Sequence, residues 1–246
     1  MISDRAREAA LLLVEAHRNR KPIAGLPPSC LPQNTDEAYA IQDAMVALRG
    51  RIRGWKFSPT APHRCGPVFD VERSGATLEA ARFHGLGVEI ELGFRLTQDL
   101  PPRPLPYGKA EVLDRLEFVP LMELVASRFV DKKACSPLEN LADCMSNGAF
   151  VIGAPIADWR GVDFGACKVE LAIDGRVVQS VAGSPNAATL LDGAIWLANH
   201  TAGRTGGLRA GDVFTTGALK GASPAKAGDK AVGDWGPLGR VEVEFR

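Results

Sequence analysis

The stretch VEIELGF at positions 88–94 alternates apolar and polar side chains, which is the pattern of a β-strand. Successive side chains of a strand point to opposite faces. The four apolar residues at even positions would therefore line one face, and Glu89, Glu91 and Gly93 would share the other. The stretch predicts a strand over residues 87–96 that is apolar on one side and carries two carboxylates on the other.

Beyond Arg51, short β-branched or alternating runs recur, and Gly, Pro and Asp separate them. The predicted strands cover residues 52–57, 87–96, 116–124, 166–173, 176–181, 212–216 and 239–245. Asp174 and Gly175 lie between two of these runs and are a strong signal for a two-residue hairpin turn. The pattern indicates a core in which many strands pair with sequence neighbours.

Helical spacing of apolar residues marks the N-terminal part of the chain. It predicts one helix over residues 4–18 and a second over 36–51, with Thr35 as its cap. Further helices are predicted at 109–114, 137–146 and 186–203. These helices do not alternate regularly with the strands, as they would in a doubly wound parallel sheet. The predicted class is α+β, with a mixed, mostly antiparallel β-roll or barrel-like core and a helical N-terminal part.

The charge balance excludes several classes of partner. The chain has 29 basic and 29 acidic residues, and its pI is near 6.9. We therefore expect no nucleic-acid or anionic membrane surface, because both need an excess of basic charge. The sequence contains no apolar run of about 18 residues and no signal-peptide pattern, which predicts a cytoplasmic protein. The balanced charge instead favours a small-molecule partner. The five cysteines are an odd number and lack metal-type spacing, so a disulfide scaffold is not expected.

Two glutamates on one strand face repel each other if that face is buried. Solvent, a basic side chain or a divalent cation could offset the repulsion. Hard cations such as Mg²⁺ prefer carboxylate oxygen, and a third carboxylate on a neighbouring strand would complete a site. The alternative is that Glu89 and Glu91 lie on a solvated face of an antiparallel sheet.

Glu123 follows a run of apolar residues, Val119–Met122, that is typical of a buried strand. A carboxylate at the end of such a run is costly to bury unless it is paired or coordinated. It is the candidate for the third ligand. The alternative is a strand-end carboxylate in water, or one paired with Arg128.

Lys56 lies in an apolar, extended context after Gly54 and Trp55. A lysine in such a place can act as an acid or base, or can bind a substrate carboxylate. The alternative is that its long side chain reaches out to water. His63 and His84 are further acid–base candidates near the predicted strands, with ordinary surface positions as the alternative.

A set of segments in fixed order resembles a known family. The segments are EAYAIQ, GWK, VEIELGF, PLMELVASR, LADCMSNGAFVIG, SPNAATLLDGAIWLAN, LRAGDVFTTGAL and AGDKAVGDWGPLGRVEVEF. Together they are similar to the 2-oxopent-4-dienoate hydratase group of the fumarylacetoacetase superfamily, which also contains 4-oxalocrotonate decarboxylases. The resemblance extends from about residue 5 to 246.

The resemblance implies a domain plan, a metal and an assembly. Residues 1–50 would form a helical N-terminal subdomain and residues 51–246 a β-roll catalytic domain, within one continuous structural unit. The expected cofactor is a divalent metal, Mg²⁺ or Mn²⁺, and the expected assembly is a homo-oligomer, with a partner enzyme of the same pathway as a further option.

The resemblance also implies roles for individual residues. Glu89, Glu91 and Glu123 match the metal carboxylates of the family, and Lys56 matches its catalytic, substrate-binding lysine. Asp143, Cys144 and Thr216 match substrate-binding positions. Cys144 stands where relatives carry a polar amide, and the loop after Lys56 also departs from the family pattern, so both differences bear on substrate choice.

The activity implied is a metal-dependent hydratase. It would add water to a 2-oxo, hydroxydienoate-type unsaturated carboxylic acid and yield a 4-hydroxy-2-oxo acid in the catabolism of aromatic compounds. The alternative is decarboxylation of a 2-oxo diacid of the 4-oxalocrotonate type. A fumarylacetoacetase-type carbon–carbon hydrolase and a non-catalytic, diverged homologue are weaker alternatives.

Overall fold

The computed structural model describes residues 2–58, 60–184 and 191–246. The helices are α1 (Asp4–Arg18), α2 (Thr35–Arg49), α3 (Lys109–Leu113), α4 (Pro137–Ala142) and α5 (Asp192–Arg204). The predicted cap of α2 is wrong by one residue: Asn34 accepts a hydrogen bond from the Glu37 amide at 2.9 Å, and Thr35 is already helical. Asparagine is the better cap because its side-chain oxygen reaches the free amides of the first turn.

In the described residues, thirteen strands form two sheets. They are β1 (Gly54–Phe57), β2 (Cys65–Val68), β3 (Val71–Arg73), β4 (Ala76–Leu78), β5 (Gly87–Leu96), β6 (Leu116–Val125), β7 (Asn147–Ile152), β8 (Lys168–Ile173), β9 (Arg176–Ala182), β10 (Val213–Ala218), β11 (Ser223–Pro224), β12 (Lys230–Asp234) and β13 (Arg240–Phe245). The first sheet has the order β2-β1-β10-β5-β6-β7-β3, with β11 paired to β5, and the second has the order β4-β13-β12-β8-β9.

Most strand pairs are antiparallel, and only β1–β10, β3–β7 and β4–β13 run parallel in the described part of the chain. The predicted class, a mixed and mostly antiparallel sheet with helices, is confirmed. Strands β5 and β6 form its longest ladder, because all ten residues of one pair with all ten of the other. This ladder is the frame on which the polar residues of the first sheet are placed.

The apolar face of β5 lies in the main core, as its alternation predicts. Val88, Ile90, Leu92 and Phe94 are each 0% exposed. Phe94 meets the rings of Trp159 and Phe118 edge to face and stacks on Phe214, and such side chains contribute about 1.5–3 kcal/mol each when fully buried. Residues of α1 and α2 belong to the same apolar cluster, so the N-terminal helices share this core.

The structure departs from the predicted elements at several places. The strand 87–96 is found residue for residue, whereas the sequence analysis missed the strands β2, β3, β4, β7, β11 and β12. The helix predicted over 137–146 ends at Ala142, because three consecutive residues, Cys144, Met145 and Ser146, have left-handed φ of 51°, 57° and 58°. Of the helix predicted over 186–203, residues 186–190 lie outside the described part.

In the described ranges, no helix combines the length and the apolar character that a membrane span requires.

Candidate metal centre

The β5–β6 register brings the three candidate carboxylates to one place. Glu89 pairs directly with Glu123, and Glu91 lies two residues along β5 on the same face. One oxygen of each carboxylate lies within 4.8 Å of the others. Paired residues of an antiparallel ladder share a face, so the alternation of two strands suffices to assemble the group.

The face that carries these glutamates is not solvated, so the solvated-face alternative is wrong. Glu91 and Glu123 are 0% exposed, and the Glu89 side chain is 14% exposed. Burial raises the pKa of Glu91 well above its ordinary value, and the neighbouring charge of Glu123 adds to the rise. Burial also raises the pKa of Glu89, although Lys56 opposes this shift. Both shifts express the cost of crowding negative charge away from water.

Lys56 joins the carboxylates from β1. Its Nζ donates to Glu123 Oε1 at 2.8 Å and lies 3.7 Å from Glu89 Oε2. The predicted alternative, a lysine extended into water, is wrong. Burial disfavours its ammonium form, but the charges of the three glutamates outweigh burial and raise the pKa of Lys56 above its ordinary value. Lys56 is therefore an ammonium at neutral pH.

The Lys56–Glu123 contact also reports on the shape of the sheet. Strands β10 and β5 separate β1 from β6, and three strand spacings would span about 14 Å in a flat sheet. A lysine side chain cannot cover that distance. The first sheet therefore curls toward the glutamate face, which encloses the group that we call the glutamate cluster: Lys56, Glu89, Glu91 and Glu123.

Two further residues hold the glutamates in place. Asn147 Nδ2 donates to Glu123 Oε1 at 3.0 Å, and the Gly217 amide donates to Glu91 Oε2 at 2.9 Å. The family resemblance placed Gly217, with Thr216, in a turn near the substrate, but sequence reasoning linked neither Asn147 nor Gly217 to a carboxylate. Asn147 gave no signal because its strand, β7, was itself missed, and Gly217 acts through its backbone, which no side-chain pattern reveals.

The glutamate cluster has more negative charge and more acceptor capacity than the protein satisfies. When all three glutamates are ionised, as cation binding requires, three carboxylates and one ammonium leave two negative charges. Glu91 Oε1 and Glu123 Oε2 are buried and have no hydrogen-bond partner among the described residues. An all-oxygen donor set, two uncompensated charges and two free oxygens fit a hard divalent cation.

Thr215 is a candidate that the sequence analysis did not select. It pairs with Gly93 across the β10–β5 ladder, so it shares the face of the glutamate cluster. Its side chain is 0% exposed, and its hydroxyl has no hydrogen-bond partner within the described ranges. The neighbouring Thr216, which the family resemblance selected, instead donates its hydroxyl to the Leu92 carbonyl at 2.7 Å.

Asp143 belongs to a second buried charge group. Its carboxylate accepts hydrogen bonds from Ser127 Oγ at 2.8 Å, from the Arg128 amide at 3.2 Å and from the Arg128 guanidinium. We call Ser127, Arg128 and Asp143 the Arg128 cluster. The alternative that Glu123 pairs with Arg128 is therefore wrong. That Asp143 contacts substrate stays a prediction, and in the described part no hydrogen bond links it to Glu89, Glu91 or Glu123.

Cys144 is 2% exposed, and its Sγ lies 3.9 Å from Met45 Sδ. Burial raises the pKa of its thiol to about 12, so the side chain is a neutral thiol. Its backbone packs on Gly66: a Cβ there would lie 2.7 Å from the Cys144 carbonyl oxygen. Gly66 pairs with Lys56, so the main chain at Cys144 approaches the strand pair that carries the lysine.

The two histidine candidates are engaged elsewhere. His63 Nδ1 lies 2.9 Å from the Ser58 carbonyl, and its ring lies 5.4 Å from that of Trp196. His84 Nε2 lies 3.1 Å from the Val130 carbonyl. Neither histidine has a hydrogen bond to a glutamate of the cluster among the residues that the structure covers.

Comparison with known proteins gives three findings. A family model described as fumarylacetoacetate (FAA) hydrolase C-terminal matches residues 63–246. The chain is 32% identical, over an aligned length of 263, to 2-keto-4-pentenoate hydratase from Paraburkholderia xenovorans (strain LB400), covering 100% of this chain and 96% of that one. The same values hold for 2-keto-4-pentenoate hydratase 3 from Pseudomonas putida.

Among solved structures, the fold is similar to that of 4-oxalocrotonate decarboxylase from Pseudomonas putida G7, complexed with magnesium and adipate. The TM-score is 0.80 at 21% sequence identity, and the match covers 99% of this chain and 98% of that one. At this identity the similarity concerns the fold.

Proposed function

The chain belongs to the fumarylacetoacetate hydrolase C-terminal family, and we propose that it is a metal-dependent hydratase of small 2-oxo unsaturated carboxylic acids. The observation that carries the proposal is the glutamate cluster, with two uncompensated charges and two free buried oxygens. The names of the relatives at 32% identity support the hydratase reaction, in which water adds to a dienoate and gives a 4-hydroxy-2-oxo acid.

Glu89, Glu91 and Glu123 would hold the cation, for which Mg²⁺ and Mn²⁺ are the proposed ions. When bound there, a divalent cation supplies Lewis-acid stabilisation of the negative charge that develops on the 2-oxygen of the substrate. The Gly217 amide and Asn147 orient two of the three carboxylates, so the donor set is preorganised.

Lys56 binds and stabilises charge in this proposal. The neighbouring glutamates raise its pKa, so that it is an ammonium in the metal-free protein. As an ammonium it would pair with the carboxylate of the substrate. Thr215 offers an uncommitted hydroxyl on the same sheet face and would position the substrate beside Lys56.

Decarboxylation is the second candidate, because the fold is similar to that of a 4-oxalocrotonate decarboxylase with a TM-score of 0.80. Both reactions pass through charge on the 2-oxygen, and they differ in whether the substrate carries a second carboxylate. Identity of 32% to hydratases against 21% to the decarboxylase favours the hydratase.

The test is turnover of 2-hydroxypenta-2,4-dienoate and of 4-oxalocrotonate by the Mg²⁺-loaded protein. Product mass and CO₂ release are followed in parallel. We expect a product that has gained one water from the dienoate, no CO₂, and a loss of kcat/KM of at least about 10³-fold in Glu91→Gln. Conversion of 4-oxalocrotonate alone, with CO₂ release, would establish the decarboxylase instead. No turnover of either acid by a protein that binds Mg²⁺ overturns both.

We also propose a homo-oligomer, as the family resemblance implies. Light scattering coupled to size exclusion measures it directly: a mass that is a multiple of the 26.2 kDa chain supports the proposal, and a monomer contradicts it.

A further inference from the structure

The strand pairing holds the main chain at Lys56 on one side only. In the described register, β10 pairs with β1 at Gly54 and Trp55, whereas Lys56 and Phe57 pair with β2 alone. Strand β2 is itself the edge of the first sheet. The position of the Lys56 ammonium therefore depends on what holds the β1–β2 hairpin from outside the sheet.

One side of α5 packs against this hairpin, and we call it the α5 face. It is formed by Gly193, Trp196, His200 and Arg204. Their spacing of three, four and four positions places them on the same side of a helix. A Cβ on Gly193 would overlap the ring of Phe57, which is buried. The helix therefore lies directly on the residue that follows Lys56.

Trp196 contacts the connection between the two strands of the hairpin. Its ring lies 5.4 Å from the ring of His63, and it stacks on the ring of His200 at 4.5 Å with an interplanar angle of 14°. Burial lowers the pKa of His200 to about 4, and the charge of Arg204 lowers it further, so this ring is neutral at neutral pH. The three rings therefore join the chain after β1 to α5.

Arg204 ties the α5 face to α2, which also holds the hairpin. Its Nη2 donates to Gln42 Oε1 at 3.1 Å, and its guanidinium carbon lies 4.2 Å from the centre of the Tyr39 ring. Gln42 Nε2 in turn donates to the Cys65 carbonyl at 2.9 Å, and the Tyr39 hydroxyl accepts from the Cys65 amide at 3.2 Å. Cys65 pairs with Phe57, so helices hold both strands of the hairpin beside Lys56.

We propose that the α5 face is a positioning device for Lys56: it acts through Phe57 and His63, which it contacts, to hold the ammonium at the glutamate cluster. This inference rests on the proposed function in one respect, since Lys56 there binds the carboxylate of the substrate. Lys56 Nζ contacts Glu123 Oε1 at 2.8 Å. A shift of about 1 Å in β1 would lengthen that contact beyond hydrogen-bond range.

Two pairs of variants test the proposal, each with a matched control. Gly193→Ala and Gly203→Ala add the same methyl group to the same helix, but a Cβ at Gly203 has open space, so only Gly193→Ala displaces the ring of Phe57. His63→Ala removes the ring that lies on Trp196, whereas His63→Phe keeps an aromatic ring there. Circular dichroism confirms that all four variants are folded.

The first measurement is amide hydrogen exchange of residues 54–57 with Mg²⁺ present, which needs neither substrate nor turnover. We expect exchange to be faster by about fivefold in His63→Ala, the value of one aromatic pair, and by at least as much in Gly193→Ala. Gly203→Ala and His63→Phe should exchange at wild-type rates. Wild-type rates in Gly193→Ala or in His63→Ala, or equal effects in a variant and its control, overturn the proposal.

The second measurement is the affinity of the Mg²⁺-loaded protein for oxalate, determined by calorimetry. We expect Gly193→Ala and His63→Ala each to weaken oxalate binding by about fivefold, with Mg²⁺ affinity unchanged. Neither change should weaken it further in a Lys56→Met background, because both act through the ammonium. Unchanged oxalate affinity in the single variants, or weakening that persists in the Lys56→Met background, overturns the proposal.

Failure of this inference and failure of the proposed function give different results. If the wild type binds no oxalate in the presence of Mg²⁺, the proposed function fails, and the exchange rates alone decide whether the α5 face holds β1. If the wild type binds oxalate and hydrates the dienoate while Gly193→Ala and His63→Ala match it in every measurement, the positioning role fails and the hydratase proposal stands.

Discussion

The glutamate cluster and the Arg128 cluster are both buried, yet they are built on opposite principles. In the Arg128 cluster one guanidinium meets one carboxylate, and its two terminal nitrogens each donate to a carbonyl, one to that of Asn147 and one to that of Asp143. In the glutamate cluster one ammonium serves three carboxylates and pairs with those of Glu89 and Glu123, and two oxygens have no partner in the described part of the chain. A buried group that is neutral and fully bonded is complete in itself, whereas one with surplus charge requires a ligand.

Asn147 connects the two clusters. Its carbonyl accepts from Arg128, and its side chain donates to Glu123 at 3.0 Å. The Arg128 cluster also holds the left-handed residues 144–146, since its arginine binds the backbone on both sides of them. The Arg128 cluster therefore holds Asn147 in the position from which its side chain contacts the glutamate cluster.

The largest effect on the free energy of unfolding is expected from a substitution in the Arg128 cluster. Arg128→Met leaves Asp143 as a buried, unpaired carboxylate and frees two carbonyls, which should lower the free energy of unfolding by about 3–5 kcal/mol. Urea denaturation measures the loss. A loss below about 1 kcal/mol would mean that the Arg128 cluster is not a structural support, which would contradict the contrast between the two clusters.

A smaller effect is expected where the left-handed turn meets the sheet. In Gly66→Ala the new Cβ would lie 2.7 Å from the Cys144 carbonyl oxygen, so the backbone between the two clusters must move. We expect a loss of about 1–3 kcal/mol by urea denaturation, in the range for overpacking. Gly50→Ala is an unsuitable control because Gly50 has a φ of 88°, whereas Gly161→Ala has open space and should be near neutral.

A substitution in the glutamate cluster should instead raise the free energy of unfolding. With EDTA present at pH 8, Glu91→Gln removes one surplus charge and should stabilise the fold by about 1–2 kcal/mol. The pKa of Glu91 is higher in the folded protein than its unfolded value of about 4.3. The folded state therefore binds more protons, and wild-type stability falls as pH rises above that value.

The stability gap between Glu91→Gln and the wild type should accordingly narrow as the pH is lowered from 8 toward 4. Urea curves at several pH values in EDTA measure it. A gap that widens on acidification, or a variant less stable than the wild type at pH 8, would show that the charge is already compensated in the protein.

The smallest effect is expected from Thr215→Val, which keeps the shape of the side chain and removes the free hydroxyl. If Thr215 positions the substrate, kcat/KM should fall by about tenfold, the value of a single hydrogen bond, with Mg²⁺ affinity unchanged. Thr216→Val is the matched control for the neighbouring hydroxyl, which is bonded to the Leu92 carbonyl. Equal rates for wild type and Thr215→Val exclude this role.

The sequence predicts the parts of the fold that depend on local periodicity. The alternation in 87–96 defines both faces of β5, and the spacing of apolar residues over 4–18 defines α1 to the residue. Strand β2 was missed because Gly66 and Pro67 interrupt it, and only its pairing with β1 makes it a strand. Strand β7 follows the left-handed turn, which tertiary contacts to Arg128 hold in place.

The candidate site likewise has features that the sequence predicts and features that it does not. The pairing of Glu89 with Glu123 follows from alternation once the two strands are adjacent, and the family resemblance named Lys56 and all three glutamates. Contacts made by the backbone, such as the Gly217 amide, leave no trace in residue types. Neither does the unmet hydroxyl of Thr215, since an absent partner becomes visible only when the neighbours of an atom are known.

The unbroken pairing of β5 with β6 limits where codons can be inserted or deleted. Deletion of one codon within either strand would turn every later side chain to the other face, so that glutamates would enter the apolar core and isoleucine or methionine would replace them. Insertions in the connection 97–115 shift no pair in the ladder. Between residues 87 and 125, we therefore expect length variation in that connection and substitutions in the two strands.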